Sequence, residues 1–593
     1  MKLSTLALCI CYCVMTYTAF VFYPKWNLPR TEATISWDAS GYYMYLPALF
    51  IYKDIKHCSF KDSIIAKYQP TPDFQQAFIH EKSGNYVMKY SCGQAIVMLP
   101  FFALAHAYCS LNPNYPADGF SFPYQVSIGV GLFLFSLLGL FVLRKVLLFY
   151  FKDSTVAILL LCYAIGSNYL NYSSIDQAMT HSSLFTIYSL ILYFTILFHK
   201  NPSFNSAIMI GSLVGLATLI RPPEIISALI PILWTIESPK EILNKLTFIR
   251  QNFSKYLVMA GAALIIVSIQ IIYWKYVANE WFIYSYQEQG FSWLHPHVFS
   301  YTLSYKCGWL RYCPMMILPL IGLILYIKSG VNKVAIISFS LINFYIVTAW
   351  DIWDYGGPGG RAMVQSYPIL AFPFCLLIEK MTKIKWTSIV LAIFILLFGY
   401  VNIWWTYHAH AGNTQITDLT EEYYWKVVGR WTESDEDKKL LDNPHAFDGF
   451  PKNVVTLYNN SFDQDSSQNV VKETDNQLIR LNRDLQYTSI YGIKNNTNFK
   501  KWIRVSADFR CTLKEWDTWK QAQFILKFNN GSEVIQTNII RIHRFIDNGQ
   551  YKNIYLDAIV PKGSWDTLNI LFWNADSDKE LFIDNLKVQS FDD

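Results

Sequence analysis

Residues 125–143 read QVSIGVGLFLFSLLGLFVL and carry no charged side chain, and Arg144 and Lys145 follow them directly. About 20 apolar residues of helix are needed to cross the hydrocarbon core of a bilayer. Basic residues next to a membrane helix mark its cytoplasmic end. This stretch therefore predicts a transmembrane helix that ends on the cytoplasmic side.

The same pattern recurs outward from this stretch, in a chain with 52% hydrophobic and only 16% charged residues. Soluble proteins carry about 25% charged residues. We therefore predict a polytopic α-helical membrane protein with about 11–12 transmembrane helices. The further candidate spans are Leu3–Tyr23, Ser154–Tyr169, Ala178–Phe198, Ala207–Ile220, Ile225–Ile236, Tyr256–Val277, Pro314–Ile327, Val334–Ala349, Val364–Leu377 and Trp386–Trp405.

The first of these spans could instead be a signal peptide. Leu3–Tyr23 is longer than a typical signal core and lacks a clear small-residue cleavage site. We interpret it as an uncleaved first span.

Lysines and arginines gather in alternate connections between the spans, which predicts the orientation. The basic connections are 144–152, 200, 240–255, 328–333 and 380–385. The connections that are poorer in lysine and arginine are 112–123, 171–177, 278–310 and 350–363. The basic set should be cytoplasmic in a bacterial inner membrane, and the other set, with the first loop 24–92, periplasmic.

One apolar segment, Gln94–Leu111, does not fit this alternation, because counting it as a crossing would place every later basic connection outside. We therefore expect it to dip into the outer leaflet or lie along it, with an ordinary span as the alternative. The C-terminus is then periplasmic.

The C-terminal region differs in pattern. Ile503, Val505, Ala507, Phe509 and Cys511 alternate with polar residues, which is typical of a half-buried strand. Similar strands are predicted at 477–481, 523–528, 538–546, 553–560, 567–573 and 581–588, which favours an all-β sandwich. We expect a membrane domain over 1–410, a linker over 411–441 and a periplasmic β-sandwich over 442–593.

The first periplasmic loop contains the most informative motif, WDASGYYMYLPA, over residues 37–48. An acid soon after a membrane exit, followed by Gly and an aromatic run, can be held at the bilayer surface. Asp38 could there deprotonate a hydroxyl or hold a metal at a phosphate. Trp37, Tyr42 and Tyr43 are candidate substrate-binding residues. The alternative is that Asp38 only caps a helix that begins near Gly41.

Four cations lie at the predicted outer border and could bind a phosphate. Arg221 interrupts an apolar stretch, where a charge is costly and usually marks a function or a paired partner. Arg311 repeats this pattern, and the planar fork of an arginine suits a phosphate. Lys89 stands at phosphate depth, with ordinary snorkelling to the interface as its alternative. For Arg221 the alternative is an internal pair with Glu224 or Asp176.

The fourth cation, Arg361, ends the glycine-rich segment 350–361. Four glycines permit unusual backbone angles and close approach of a ligand. Asp351 and Asp354, with the neighbouring aromatic residues, could bind a sugar. The alternative is a structural turn with a belt of Trp. Glu288, in the segment YSYQEQGF over 284–291, completes the candidate substrate-binding residues.

These motifs together resemble the GT-C superfamily of membrane glycosyltransferases, and most of all its uncharacterised Bacteroidetes-type group. The resemblance covers residues 1–410 and rests on WDASGYYMYLPA (37–48), KYSCG (89–93), LIRP (219–222), YSYQEQGF (284–291) and YGGPGGRA (355–362). The C-terminal region resembles carbohydrate-binding β-sandwich modules.

The resemblance implies a polyprenyl-phosphate sugar as donor and a periplasmic glycan, lipid or protein as acceptor. It implies Asp38 as the catalytic base and Asp176 as the candidate second acid, with Lys89 and Arg221 at the lipid phosphate. The first-loop motif has one Asp where several such families have an acidic pair. It therefore implies no certain cofactor and leaves a divalent metal ion open.

The predicted function is sugar transfer from a polyprenyl-phosphate donor. A polymerase or ligase of lipid-linked glycans is the alternative enzyme, and a transporter or glycan-binding receptor the alternative from another class. Membrane lipids are expected partners. The net charge of +5 is small for 593 residues and gives no reason to expect a nucleic-acid partner.

Overall fold

The computed structural model describes residues 2–357, 359–410, 419–447, 449–464, 467–473, 476–495, 498–515 and 517–593. The chain divides into two compact units, Met1–Gly412 and Asn413–Asp593. The first is helical, and strands dominate the second, which confirms the predicted fold class. The predicted domain limits themselves stay predictions, because 411–418 lie outside the described residues.

The first unit contains eighteen α-helices within the described residues. They are α1 Leu3–Tyr17, α2 Trp37–Tyr43, α3 Lys61–Tyr68, α4 Gly93–Leu111, α5 Phe122–Leu147, α6 Asp153–Ala164, α7 Tyr169–Ser174, α8 Thr180–Lys200, α9 Phe204–Ile220, α10 Leu229–Leu233, α11 Glu241–Gln251, α12 Phe253–Ala278, α13 Val298–Leu303, α14 Trp309–Tyr312, α15 Ile317–Ser329, α16 Lys333–Ala349, α17 Tyr367–Met381 and α18 Lys385–His410. A short hairpin, β1 Ala77–Ile79 and β2 Tyr86–Met88, lies in the first long loop.

Seven helical stretches of the described chain are long and apolar enough to cross a membrane, so the protein is a multi-pass membrane protein. They are Leu3–Asn27, Gly93–Leu111, Phe122–Leu147, Thr180–Lys200, Phe253–Ala278, Arg361–Met381 and Lys385–His410. All but Gly93–Leu111 coincide with predicted spans. The other predicted spans fall on shorter apolar helices, and the span predicted over 154–169 is wrong beyond Ala164, where α6 ends.

The basic connections meet at one end of this helical bundle. Arg144, near the end of α5, donates to the Ser4 hydroxyl over 2.8 Å, and Ser4 also contacts Asp153. The backbone N–H of Lys152 donates to Glu379 over 3.1 Å. The predicted grouping of these connections on one side of the membrane agrees with these contacts.

Helix α4 has both ends near the opposite end of the bundle, as expected for a segment that does not cross. A side chain at Gly93 would overlap the backbone of Ile220, the last residue of α9. Further along, the Phe101 carbonyl accepts a hydrogen bond from Ser127, and His106 contacts Tyr124 over 2.7 Å. These partners lie in the first turns of α5, far from its basic end. Helix α4 is nevertheless long enough to span a bilayer, so its length alone does not distinguish a crossing from a segment that lies along the outer leaflet.

Close packing of α9 against α12 places the outer end of α9. Gly211 and Gly215 lie one turn apart, and added Cβ atoms would stand 2.1 Å from the Met259 carbonyl and 2.7 Å from the Ala263 carbonyl. Small residues at this spacing let membrane helices approach closely. Because α9 ends at Ile220, this contact determines where the following Arg221 lies.

The second unit contains two short helices and ten strands within the described residues. They are α19 Glu421–Val427, α20 Asp435–Lys439, β3 Lys452–Asn460, β4 Val470–Glu473, β5 Asn476–Leu481, β6 Tyr491–Lys494, β7 Trp502–Cys511, β8 Gln523–Asn530, β9 Glu533–Arg541, β10 Lys552–Ile559, β11 Thr567–Trp573 and β12 Leu581–Asp592. The strand predicted over 538–546 is wrong at its end, because a 3₁₀ turn at Ile542–Arg544 follows β9.

These strands form two antiparallel sheets. One has the order β10-β7-β12-β5-β4, with β3 also paired to β12, and the other has the order β6-β11-β8-β9. Alternate residues of β7 are buried, as predicted, and Phe509 contacts Phe524 and Phe572 of the other sheet, with ring centroids 5.6 Å apart in each pair. The two sheets therefore pack face to face across one apolar core.

Replacing Gly211 by Ala tests the packing of α9 on α12. We expect the free energy of unfolding to fall by about 1–3 kcal/mol, because the new methyl group overlaps the Met259 carbonyl and the backbones must separate. Thermal unfolding in detergent measures this. Gly261→Ala in α12, where nothing lies within 4 Å of an added Cβ, is the matched control. Equal stability of both variants would contradict the packing.

Candidate active site

Asp38 lies in the first turn of α2, which begins one residue earlier at Trp37. Trp37 has a φ of 46°, an unusual backbone conformation for a bulky residue, and its N–H donates to the Pro70 carbonyl over 2.9 Å. The expectation that Asp38 merely caps a helix starting near Gly41 is therefore wrong. Strained backbone of this kind is concentrated at functional positions.

The Asp38 carboxylate has a different partner on each oxygen. The Tyr90 hydroxyl donates to Oδ1 over 2.7 Å, and Nη2 of Arg361 donates to Oδ2 over 2.9 Å. The Asp38 side chain remains 30% exposed and that of Arg361 19% exposed. The ion pair is therefore held in place and still open to a ligand.

Gly41 explains how Tyr90 reaches Asp38. A Cβ atom at Gly41 would stand 2.5 Å from the Tyr90 ring, so only glycine lets the ring lie against α2. The ring also packs on Tyr42, with centroids 4.5 Å apart. Burial first, and then the Asp38 carboxylate, raise the pKa of Tyr90 well above its ordinary value. The Tyr90 hydroxyl therefore stays protonated and donates.

Arg361 is placed by the glycine-rich loop before it. Gly357 and Gly360 have φ values of 108° and 70°, and side chains there would overlap Tyr172 and Trp309 respectively. The guanidinium of Arg361 lies over the Tyr355 ring, 4.5 Å from its centroid. The loop is thus a structural turn, as one alternative held, and it also presents an arginine to Asp38. Pro358 of this motif lies outside the described residues.

Arg221 enters the same site from the end of α9. Tyr42 lies within electrostatic range of Asp38, Arg221 and Arg361. Nη1 of Arg221 is buried and has no hydrogen-bond partner among the described residues. An unsatisfied buried donor is costly, and it indicates a place where a ligand or water completes the site.

The neighbouring acid, Glu224, lies within electrostatic range of Arg221 but makes no direct contact with its guanidinium within the described residues. Its carboxylate accepts hydrogen bonds from the Tyr188 hydroxyl over 2.6 Å and from the Gln365 amide over 3.0 Å. The two residues are both described and form no ion pair. The expected alternative of an internal pair between Arg221 and Glu224 is therefore wrong.

Asp176 lies in a separate cluster. Its carboxylate pairs with the Lys25 ammonium over 2.5 Å and accepts a hydrogen bond from the Asn171 amide over 2.8 Å. His410 contacts Asn171 in turn. Tyr172 is within electrostatic range of both Asp176 and Arg361, so the two clusters are neighbours that share one tyrosine. The structure does not bring Asp176 to Asp38.

The other candidate cations lie apart from the ion pair. Nζ of Lys89 stands 5.6 Å from the centroid of the Tyr90 ring, next to the site. Arg311 donates to the Leu303 carbonyl over 2.7 Å and lies over the Tyr305 ring. Lys89 thus borders the site, whereas Arg311 is engaged elsewhere.

The candidate substrate-binding residues are also divided. Tyr42 lies in the site, and Trp37 is exposed beside it. Tyr43 is fully buried and donates to the Gly119 carbonyl over 2.6 Å, which is a structural contact.

The acids of the later loops serve as loop contacts or stay exposed. Asp351 accepts hydrogen bonds from the Gly290 N–H and the Ser292 hydroxyl, and so joins two loops. Asp354 pairs with Lys306 over 3.1 Å, and Glu288 is exposed.

The sequence patterns assign no role to several tyrosines of the site. Tyr90 belongs to the motif KYSCG (89–93), in which no function is predicted for it. Tyr286 and Tyr355 lie within electrostatic range of Arg221. The local signal for Tyr90 is its place beside Lys89, directly before an apolar helix. Buried tyrosines elsewhere in an apolar chain give no comparable signal.

The described residues contain no group of three or more His, Cys, Asp and Glu side chains suited to a metal ion. Asp38 has its two oxygens occupied by Tyr90 and Arg361, so the site does not fit a metal held by a carboxylate cluster.

Comparisons with known proteins gave structural matches alone. No family model matches the chain, and no curated protein matches it. The solved structures that are similar to it include two of ArnT from Cupriavidus metallidurans. The apo state has a TM-score of 0.37 and 14% identity, covering 61% of this chain and 63% of that one. The state bound to undecaprenyl phosphate has a TM-score of 0.40 and 12% identity, covering 66% and 63%.

The chain thus spans just under two thirds of the length of the ArnT chains it matches. At these TM-scores and identities the matches carry no argument about activity. The chemistry of the site is indicated by its own side chains.

The Lys25–Asp176 pair gives a pH-dependent prediction. Burial alone would raise the pKa of Asp176, but Lys25, His410 and Asn171 lower it from 3.8 to about 2. Because its pKa is lowered on folding, Asp176 stabilises the fold at pH values above its pKa in the unfolded chain. This stabilisation is lost as the pH falls toward about 2. We expect Asp176→Asn to cost about 2 kcal/mol at pH 7 and progressively less from pH 4 downward.

Thermal unfolding in detergent at a series of pH values measures this difference. Asp62→Asn, on an exposed side chain of the first loop, is the control and should leave stability unchanged. Equal stability of the wild type and Asp176→Asn at pH 7 would contradict the assignment.

Proposed function

We propose that the protein is a membrane glycosyltransferase that uses a polyprenyl-phosphate-linked sugar. One observation carries the proposal: Asp38 pairs with Arg361, and Tyr42 lies within electrostatic range of both and of Arg221. These residues come from three distant parts of the chain, and the buried Nη1 of Arg221 has no hydrogen-bond partner among the described residues. A carboxylate beside two guanidinium groups suits a reaction in which a hydroxyl loses a proton while a phosphate leaves.

In the proposed step, Asp38 accepts the proton of an acceptor hydroxyl. The hydroxyl oxygen forms a bond to the anomeric carbon of the donor sugar, and the bond from that carbon to the phosphate oxygen breaks. The bonding electrons leave with the lipid phosphate, so the sugar is transferred with inversion. Arg221 and Arg361 stabilise the phosphate, with Lys89 at the edge of the site.

The charges of the site match this step. A phosphodiester donor carries one negative charge, and the phosphate that leaves gains a second one, while Asp38 loses its own charge on protonation. Arg361 contacts Asp38 before the step and is positioned to interact with the phosphate after it. Fixed cations stabilise charge that develops in the transition state more than charge already present.

The outer face of a bacterial inner membrane is the proposed location. The site lies at the end of the bundle opposite the basic connections, as the contact of Arg144 with Ser4 at the other end indicates. A lipid-linked donor could reach this end from the outer leaflet. Transfer of one sugar is distinguished from polymerisation by the product, since a polymerase or ligase would yield longer chains. A transporter or receptor would leave the donor unconsumed.

We expect Asp38→Asn and Arg221→Gln each to lower transfer at least 100-fold, because one removes the base and the other a cation at the phosphate. The assay supplies reconstituted protein with a panel of polyprenyl-phosphate pentoses and hexoses and with a mixture of glycan and lipid acceptors from the cell envelope, and it follows release of polyprenyl phosphate.

Asp62→Asn and Arg250→Gln change the same residue types at exposed positions away from the site, and they should keep full activity. Full activity of Asp38→Asn and Arg221→Gln would contradict the assignment of the site. Failure of the wild-type protein to consume any of these donors would contradict the function itself.

A further inference from the structure

The two hydrogen bonds to Asp38 come from donors of different character. Arg361 is cationic, is partly exposed and would be drawn toward an incoming phosphate. The Tyr90 hydroxyl is neutral and faces Asp38 from a buried ring. A phosphate therefore competes with Asp38 for Arg361, whereas it does not compete for Tyr90 in the same way.

We propose that Tyr90 is the positioning residue that keeps Asp38 directed at the acceptor hydroxyl once Arg361 has turned to the donor phosphate. This inference rests on the proposed transfer function. Without Tyr90, Asp38 would lose its remaining hydrogen bond at the moment when it must accept a proton. Asp38 would then be free to follow the guanidinium or to turn to water.

The surroundings of Tyr90 hold its ring in place independently of any ligand. The ring lies against Gly41 and Tyr42 on α2, and at 6.0 Å from the Tyr286 ring. The Tyr45 hydroxyl donates to the backbone carbonyl of Tyr90 over 2.6 Å. The Tyr90 hydroxyl is thus a preorganised donor whose position does not depend on Arg361.

The other groups around Asp38 are Arg361, Tyr42 on its own helix, and Arg221 and Tyr286 beside Tyr42. Of these, the arginines stay charged, and burial raises the pKa of Tyr42, so both tyrosines stay neutral near pH 7.

The test is Tyr90→Phe, which keeps the ring and removes only the hydroxyl. With a donor that the wild type consumes, we expect kcat to fall about 10- to 100-fold, while the KM for the donor changes less than about twofold. A merely structural role would appear as a lower unfolding temperature and would not lower kcat at an unchanged KM for the donor.

Tyr52→Phe is the matched control, because Tyr52 lies in the same first loop as Tyr90 and its hydroxyl donates to the Asp118 carbonyl, away from Asp38. It should keep the kcat of the wild type. Thermal unfolding verifies that Tyr90→Phe folds. If it does not fold, Gly41→Ala, which pushes the Tyr90 ring away from α2, should give the same loss of kcat.

The double variant Asp38→Asn/Tyr90→Phe separates action through Asp38 from an independent effect. If Tyr90 acts through Asp38, the double variant is no slower than Asp38→Asn alone. Additive losses, or a wild-type kcat in Tyr90→Phe, would overturn this inference and leave the transferase proposal standing. No transfer by the wild-type protein would overturn both.

Discussion

The ion pair between Asp38 and Arg361 joins residues 323 positions apart and is the contact on which the candidate site depends. Charges are costly at the border of an apolar bundle, and pairing reduces that cost. The pair is only partly exposed, so it is strong enough to hold two loops together and open enough to exchange partners. Everything else in the site either positions one of these two residues or faces them.

Arg221 differs from Arg361, whose guanidinium is paired with Asp38. Nη1 of Arg221 is buried and has no hydrogen-bond partner in the part of the chain that the structure describes, and the carboxylate of Glu224 accepts hydrogen bonds from Tyr188 and Gln365. The site therefore has more cationic hydrogen-bonding capacity than it uses in the absence of a ligand. Around the arginines lie tyrosines, which offer neutral donors and flat faces. An arrangement of this kind suits a ligand that brings an anion and a polar ring together, as a sugar phosphate does.

Two aspartates that are equally plausible by sequence end in different surroundings. Asp38 keeps a partly exposed ion pair beside free cationic capacity, whereas Asp176 is paired with Lys25 inside a polar cluster of its own. Their chemistry differs accordingly. The first is the residue for which we propose proton transfer, and the second is the one for which we expect an effect on stability. Glycines decide part of this difference, because Gly41 admits Tyr90 to α2 and Gly360 admits Trp309 beside Arg361.

Sequence patterns were enough to predict the membrane class, most spans and the alternating strands of the C-terminal unit. They also indicated Asp38, Arg221 and Arg361 as candidate site residues. Hydrophobic period and length carry the first three, and the rarity of charge in apolar surroundings carries the last. The contact partners of these side chains are seen only in the folded chain: Tyr90 and Arg361 for Asp38, Lys25 for Asp176, and Tyr305 for Arg311. Pairing across hundreds of residues follows from helix packing and loop closure, and local patterns contain no information about such distances.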